Sequence, residues 1–183
     1  MTKVKSPSKE KVKLWLDLKT CEVVYSSFRS EYEKNGDEPL PPFDSRYPGR
    51  LESIIESVKL RYGQLESDAS ISQIASDYFV RITKSQSLVN GNKRMGVLFT
   101  SVFLYLNDYD LQFGQTKLAE FSLSVASSKK KIDKVQTEIQ KVFTKKIKKR
   151  EYGFRISFNK FVQYYVERIR KIKLPGRSKT QKK

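Results

Sequence analysis

The sequence predicts an all-α fold, a bundle of about six or seven helices. Apolar residues recur three and four positions apart along most of the chain, which is the period of a helix with one buried face. Hydrophobic residues make up 38% of the 183 residues, which is enough for a core of ordinary size. We therefore expect a helical domain over residues 1–148, followed by a basic helix and a disordered tail over residues 149–183.

The helical period predicts seven segments: residues 7–35, 50–61, 68–86, 93–107, 114–128, 131–148 and 157–173. Ser6 or Ser8 is the expected cap of the first helix, and Asp68 or Ser70 that of the third. Apolar residues lie on more than one face of the segment 93–107. This helix is therefore predicted to be central and enclosed by the others.

Prolines cluster in residues 37–49, where they exclude a helix and predict a loop. We expect Phe43 and Tyr47 to hold this loop against the core.

A short turn with the sequence N-G-N-K-R precedes the central helix. Gly91 permits a tight turn or the close approach of a ligand, and Asn90 or Asn92 can cap the helix. The free N–H groups of the first helical turn, together with Lys93 and Arg94, form a candidate anion site. The alternative interpretation is a capped core helix whose two basic residues are simply solvated.

The N-G-N-K-R turn, followed by an apolar helix that ends in L-N-x-Y, resembles the signature of the Fic/Doc (Fido) family in its Doc-like branch. The upstream sequence P-G-R-L-E-S-I-I-E-S at residues 48–57 also resembles the Doc-like helix before that signature. The resemblance implies a Fido-type helical bundle whose central helix follows the turn. It also implies that residues 62–67 carry a flap that docks a target chain by strand addition, the alternative being a plain connector.

The resemblance implies a role for each position of the turn. In the family, a histidine removes a proton from a target hydroxyl, an acidic residue helps to hold Mg²⁺, and the turn holds the phosphates of a nucleotide such as ATP. The histidine position is Gln86, and the metal position is Asn90, a weak ligand. The phosphate contacts fall on five residues: Asn90, Gly91, Asn92, Lys93 and Arg94.

Fic members transfer AMP from ATP to proteins, whereas Doc transfers the terminal phosphate. Lys93 places the chain on the Doc side and counts as a candidate catalytic residue. Val97 occupies the position of the second arginine of the Fic pattern, which argues against standard AMP transfer.

The chain contains no histidine, so the general base of the family is absent. Gln86 cannot take up a proton near neutral pH, and a general base contributes about 10²–10⁴ in rate. Because the phosphate contacts do not need that base, nucleotide binding can survive where turnover does not. The sequence therefore favours a degenerate Doc-like protein that binds a nucleotide or phosphate.

Three alternatives remain. The first is a toxin-type transferase in inactive or atypical form, with a protein target or an antitoxin-like partner. The second is a helical module that binds nucleic acid through a basic tail, and the third is a helical interaction protein whose match to the motif is accidental.

The net charge of +17 is concentrated near the C-terminus. Residues 141–183 hold 16 Lys and Arg against two acidic residues, which places +14 of the charge there. Basic residues interleaved with aromatic ones are typical of nucleic-acid surfaces, although Phe158, Phe161 and Tyr165 share one helical face and also suit the core. The candidate nucleic-acid contacts are Arg168, Arg170, Lys171 and Lys173.

Cysteine content and hydropathy indicate a cytoplasmic protein. Cys21 is the only cysteine, which excludes an internal disulfide and fits a reducing compartment. We expect it to be a buried helix residue, with a reactive thiol as the alternative. No apolar run reaches the roughly 18 residues of a membrane span, and the N-terminus lacks the apolar region of a signal peptide.

Overall fold

The computed structural model describes residues 12–34, 40–150 and 157–170, and over these residues the prediction of an all-α fold is confirmed. The helices are α1 (Leu18–Lys34), α2 (Arg50–Leu60), α3 (Ile71–Lys84), α4 (Asn92–Leu106), α5 (Gln115–Ser127), α6 (Ile132–Lys146) and α7 (Phe158–Arg170). Two short strands, β1 (Tyr109–Leu111) and β2 (Ile147–Lys149), pair antiparallel. The division into domains at residue 148 stays a prediction.

Helix α4 occupies the centre of the fold, as predicted. Every residue from Met95 to Leu104 is buried, and α3 packs along it. The two helices approach closely at Gly96, where a Cβ atom would lie 2.1 Å from the Thr83 Oγ1 atom and 3.2 Å from the Thr83 backbone nitrogen. This contact sets the spacing of the helices on either side of the N-G-N-K-R turn.

We expect the substitution Gly96→Ala to lower the free energy of unfolding by about 2 kcal/mol. The free-energy cost of overpacking against Thr83 exceeds the roughly 1 kcal/mol of helix stability that alanine adds relative to glycine. Urea unfolding followed by circular dichroism measures the change. The control is Gly114→Ala, because a Cβ atom there meets nothing within 4 Å. Equal stability of the two variants would contradict the close contact.

Helix α1 begins at Leu18, so the prediction of a helix from residue 7 to 35 is wrong for residues 12–17. Asp17 caps the helix, since its Oδ1 atom accepts a hydrogen bond from the Thr20 backbone N–H at 2.7 Å. The residues before it form neither helix nor strand and lie against the end of α4, where the Asn107 side chain binds their backbone. The predicted caps Ser6 and Ser8 lie outside the described residues.

Only one of the two aromatic residues predicted to hold the proline-rich loop does so. Phe43 is buried, and its ring centroid lies 5.5 Å from that of Tyr25. Tyr47 is 45% exposed, so that prediction is wrong. Its ring lies under the Arg50 guanidinium at 4.7 Å instead of against the core.

Residues 61–65 form a π-helical turn that continues α2. The prediction of a strand-forming flap is therefore wrong for these residues, and the connector interpretation holds. Tyr62 anchors the turn because it is buried and its hydroxyl accepts a hydrogen bond from the Gln136 side chain at 3.1 Å. Helix α3 then begins after Ser70, which caps it as predicted.

The sequence did not predict the two-stranded sheet. Leu111 pairs with Ile147, at the position where the predicted helix 131–148 gives way to β2.

Helix α7 packs on α1 and α4. Phe161 and Tyr165 are buried there, which confirms their assignment to the core. The Tyr165 hydroxyl donates to the Asp110 carboxylate of β1 and so joins α7 to the sheet.

Cys21 is buried in α1, as predicted, and burial raises the pKa of its thiol well above the usual range.

None of the helices in the described ranges combines the length and apolar character of a membrane span.

Candidate functional site

The loop from α3 to α4, residues 85–91, is closed by its own polar side chains. The Asn92 Oδ1 atom accepts a hydrogen bond from the Leu88 backbone N–H at 2.9 Å, and the Asn92 Nδ2 atom donates to the Leu88 carbonyl at 2.8 Å. The Ser87 hydroxyl also donates to the Asn92 Oδ1 atom at 3.3 Å and lies 2.7 Å from the Ser85 hydroxyl. Asn92 therefore shapes the loop from within, and its amide is already engaged.

Gly91, and neither asparagine, occupies the N-cap position of α4. Its backbone is left-handed, with φ 87° and ψ 5°, and no side chain caps the helix. The predicted capping by Asn90 or Asn92 is wrong, because Asn90 accepts from the Gly91 N–H at 2.7 Å and Asn92 bonds to Leu88. Glycine suits this position because positive φ is strained for other residues. The first N–H groups of α4 consequently lack an intrahelical or side-chain partner.

Gln86 lies exposed on this loop, immediately before the buried residue Ser87. Its carbonyl accepts a hydrogen bond from the Arg50 Nη1 atom at 3.3 Å. The Ser87 carbonyl accepts from the Tyr47 backbone N–H at 3.0 Å. The start of α2 is therefore fastened directly to the loop.

Helix α2 begins in the same way as α4. Gly49 is its N-cap residue, with φ 75°, and no side chain caps it. Two helix N-termini without side-chain caps thus adjoin the loop, and each carries partial positive charge. Sequence reasoning missed Arg50 as a site residue, although the sequence Pro48-Gly49-Arg50 at the start of a helix was the available signal.

Arg46 is the other arginine of this region, but it is already paired. Its Nη2 atom lies 2.7 Å from the Glu52 carboxylate, and its guanidinium lies 4.5 Å over the Phe43 ring. Burial raises the pKa of Glu52, but the backbone N–H of Glu52 and the Arg46 guanidinium outweigh this effect and leave the pKa below its usual value. Arg50 is therefore better placed than Arg46 to meet an anion.

Lys93 and Arg94 lie in the first turn of α4, after Gly91. Lys93 is half-buried, and its carbonyl accepts a hydrogen bond from the Ser122 hydroxyl at 2.9 Å. The Arg94 guanidinium lies 5.0 Å from the Tyr32 ring of α1, and its buried Nε atom has no hydrogen-bond partner. The structure therefore places Asn90, Gly91 and Lys93 along the turn, and Arg94 against α1.

The residues of the turn do not fit a Mg²⁺ ion held by the protein. Asn90 offers one neutral oxygen, which already accepts from Gly91. Within the described residues, no three His, Cys, Asp or Glu side chains come together as metal ligands. Mg²⁺ favours carboxylates and substrate phosphates, so an ion here would depend on the phosphates of a ligand.

The predicted nucleic-acid contacts lie at the limit of the described chain. Arg168 and Arg170 fall within the last turn of α7, and their side chains are not described. Lys171 and Lys173 lie outside the described residues.

No model of a known protein family matches the chain, and no curated protein is significantly similar to it. The resemblance to the Doc-like branch therefore depends on the residues quoted above and stays a prediction.

Proposed function

We propose that this protein binds the phosphate groups of a nucleotide at the N-terminus of α4 and has lost most of the associated transfer chemistry. The proposal is based on how α4 begins. Its N-cap residue is Gly91, which has a left-handed backbone conformation, and no side chain caps the helix. The first N–H groups of this helix are left to bind an anion, and the positive end of the helix dipole favours one. Lys93 adds a full charge in the same turn.

Arg50 supports the proposal because it contacts the same loop, at Gln86. Its guanidinium is held between the Gln86 carbonyl and the Tyr47 ring, at 3.3 and 4.7 Å. An arginine fixed in this way loses little side-chain entropy when it binds a phosphate. The proposed site thus combines the Gly91 turn, Lys93 and Arg50.

We expect Lys93→Ala to weaken the binding of ATP by about 1.5–3 kcal/mol, because it removes a charge-assisted hydrogen bond. Isothermal titration with ATP, with and without a chelator of Mg²⁺, measures this loss. Binding should persist with the chelator, since the described residues supply no cluster of metal ligands. Inorganic phosphate is titrated in parallel to show whether the phosphate groups alone are recognised.

The matched control is Lys117→Ala on α5, an exposed lysine that is not part of the turn. Arg94→Ala should cost less than Lys93→Ala, because its guanidinium lies over Tyr32. Equal affinities for ATP in the Lys93→Ala and Lys117→Ala variants would refute the nucleotide site.

A further inference from the structure

A second basic surface lies before the C-terminal tail, in residues 129–150. This segment holds ten Lys and Arg against two acidic residues, Asp133 and Glu138. It comprises the loop before α6, the whole of α6, and β2. The surface belongs to a different part of the fold from the Gly91 turn, which joins α3 to α4.

Helix α6 separates its apolar and basic residues onto opposite faces. The buried face packs on α3 through Val135, Ile139 and Phe143. Lys134, Lys141 and Lys145 are exposed, and their spacing of seven and four residues places them together on the opposite face. We call these three lysines the α6 basic face. It extends about 16 Å along the helix.

One carboxylate lies on the α6 basic face, because Glu138 follows Lys134 by four residues and precedes Lys141 by three. Among the residues that the structure describes, none of the three lysines forms an ion pair, whereas Glu138 is held by Lys130 at 2.6 Å. Asp133 lies in the first turn, where it suits the helix dipole. Lys141 and Lys145 are one turn apart, and such like-charge pairs destabilise a helix by a few tenths of a kcal/mol. A bound polyanion removes that repulsion.

The composition of the surface favours nucleic acid over a protein partner. Within residues 129–150, Ile132 at the start of α6 is the only large apolar side chain among the exposed ones, and it is 38% exposed. Protein interfaces need an apolar centre and are depleted in lysine, whereas nucleic-acid interfaces are polar and strongly positive. Single strands are bound largely by stacking on aromatic rings, and Phe143, the aromatic residue of α6, is fully buried.

We propose that the α6 basic face binds the phosphate backbone of a nucleic-acid duplex without reading its bases. The three lysines lie in a row on a rigid helix, which matches the regular charge of a duplex. The exposed residues Lys129 and Lys131 lie in the α5–α6 loop and add positive charge before the helix.

The test is fluorescence anisotropy of the full chain with a labelled duplex of about 20 base pairs, as DNA and as RNA. The test variant replaces Lys134, Lys141 and Lys145 by glutamine. The control variant removes the same charge elsewhere, at three exposed lysines on other helices: Lys19, Lys59 and Lys117. Circular dichroism establishes that both variants are folded.

We expect the test variant to bind duplex at least about tenfold more weakly at low salt, and its log–log salt slope to be shallower by about 2.7, or 0.9 for each lost phosphate contact. The control variant should stay within about threefold of the unaltered chain. Binding to either duplex supports the proposal, and the difference between DNA and RNA identifies the natural ligand.

Equal losses in the two variants, or no duplex binding at low salt, would overturn the proposal. Tighter binding of single strands than of duplex would also do so. Competition by polyglutamate as effective as that by duplex would assign the face to an acidic protein instead.

Discussion

The substitution Gln86→His is expected to raise ATP-dependent transfer to a protein hydroxyl by about 10²–10⁴ over the unaltered chain, in which we expect little or none. This range is the usual contribution of a general base, and glutamine cannot supply one near neutral pH. Gln86 is exposed, and its backbone is held by Arg50, so a histidine there would project from a fixed part of the loop. The expectation depends on the proposed nucleotide site.

A transfer assay with labelled ATP compares Gln86→His with Gln86→Asn, which keeps an amide and gains no base. Adding Lys93→Ala to the histidine variant should reduce the gain at sub-saturating ATP, because the nucleotide would bind more weakly. Robust modification of a protein by the unaltered chain would contradict the loss of the base. A lack of gain in the histidine variant would show that the site has lost more than its base, with the neutral Asn90 as the first candidate.

The substitution Asn107→Ala is expected to lower the free energy of unfolding by about 3 kcal/mol or more. The Asn107 Oδ1 atom accepts from the backbone N–H groups of Lys13 and Leu14 at 2.7 and 3.2 Å. The Nδ2 atom donates to the carbonyls of Leu14 and Phe103, each at 2.8 Å. Asn107 is 3% exposed, and each bond contributes about 0.5–1.5 kcal/mol, with a further cost for buried groups left without a partner.

Losing Asn107 should also release the segment before α1. This segment carries Leu16, which is buried, and Trp15, the only tryptophan, whose ring lies 6.3 Å from that of Phe103. Tryptophan fluorescence should therefore shift to longer wavelength in Asn107→Ala, while urea unfolding measures the stability.

Asn107→Asp should be at least as destabilising as Asn107→Ala at neutral pH, because a buried carboxylate oxygen would face the carbonyls of Leu14 and Phe103 in place of the donor. The matched control is Asn90→Ala, which removes one exposed local bond and should change stability by less than about 0.5 kcal/mol. Equal stability of Asn107→Ala and Asn90→Ala would refute the anchoring role of Asn107.

Local sequence was sufficient to predict most helices and the position of the turn. The starts and ends of α2 to α6 lie within three residues of the predicted ones, because the spacing of apolar residues in a helix depends only on near neighbours. Burial along α4 followed from the same spacing, and Gly91 was correctly singled out as the residue that allows the turn. The absence of histidine was likewise evident from composition.

Contacts between distant residues decided what the sequence did not reveal. Asn107 keeps residues 12–17 from joining α1, although more than 90 positions separate them. Asn92 bonds inward to Leu88 and leaves the cap position to Gly91, while Arg50 reaches the loop from another helix. Residues 147–149 leave the helical pattern because β1 supplies a strand to pair with. Propensity and periodicity record only neighbours along the chain, whereas these hydrogen bonds form only after the helices have packed.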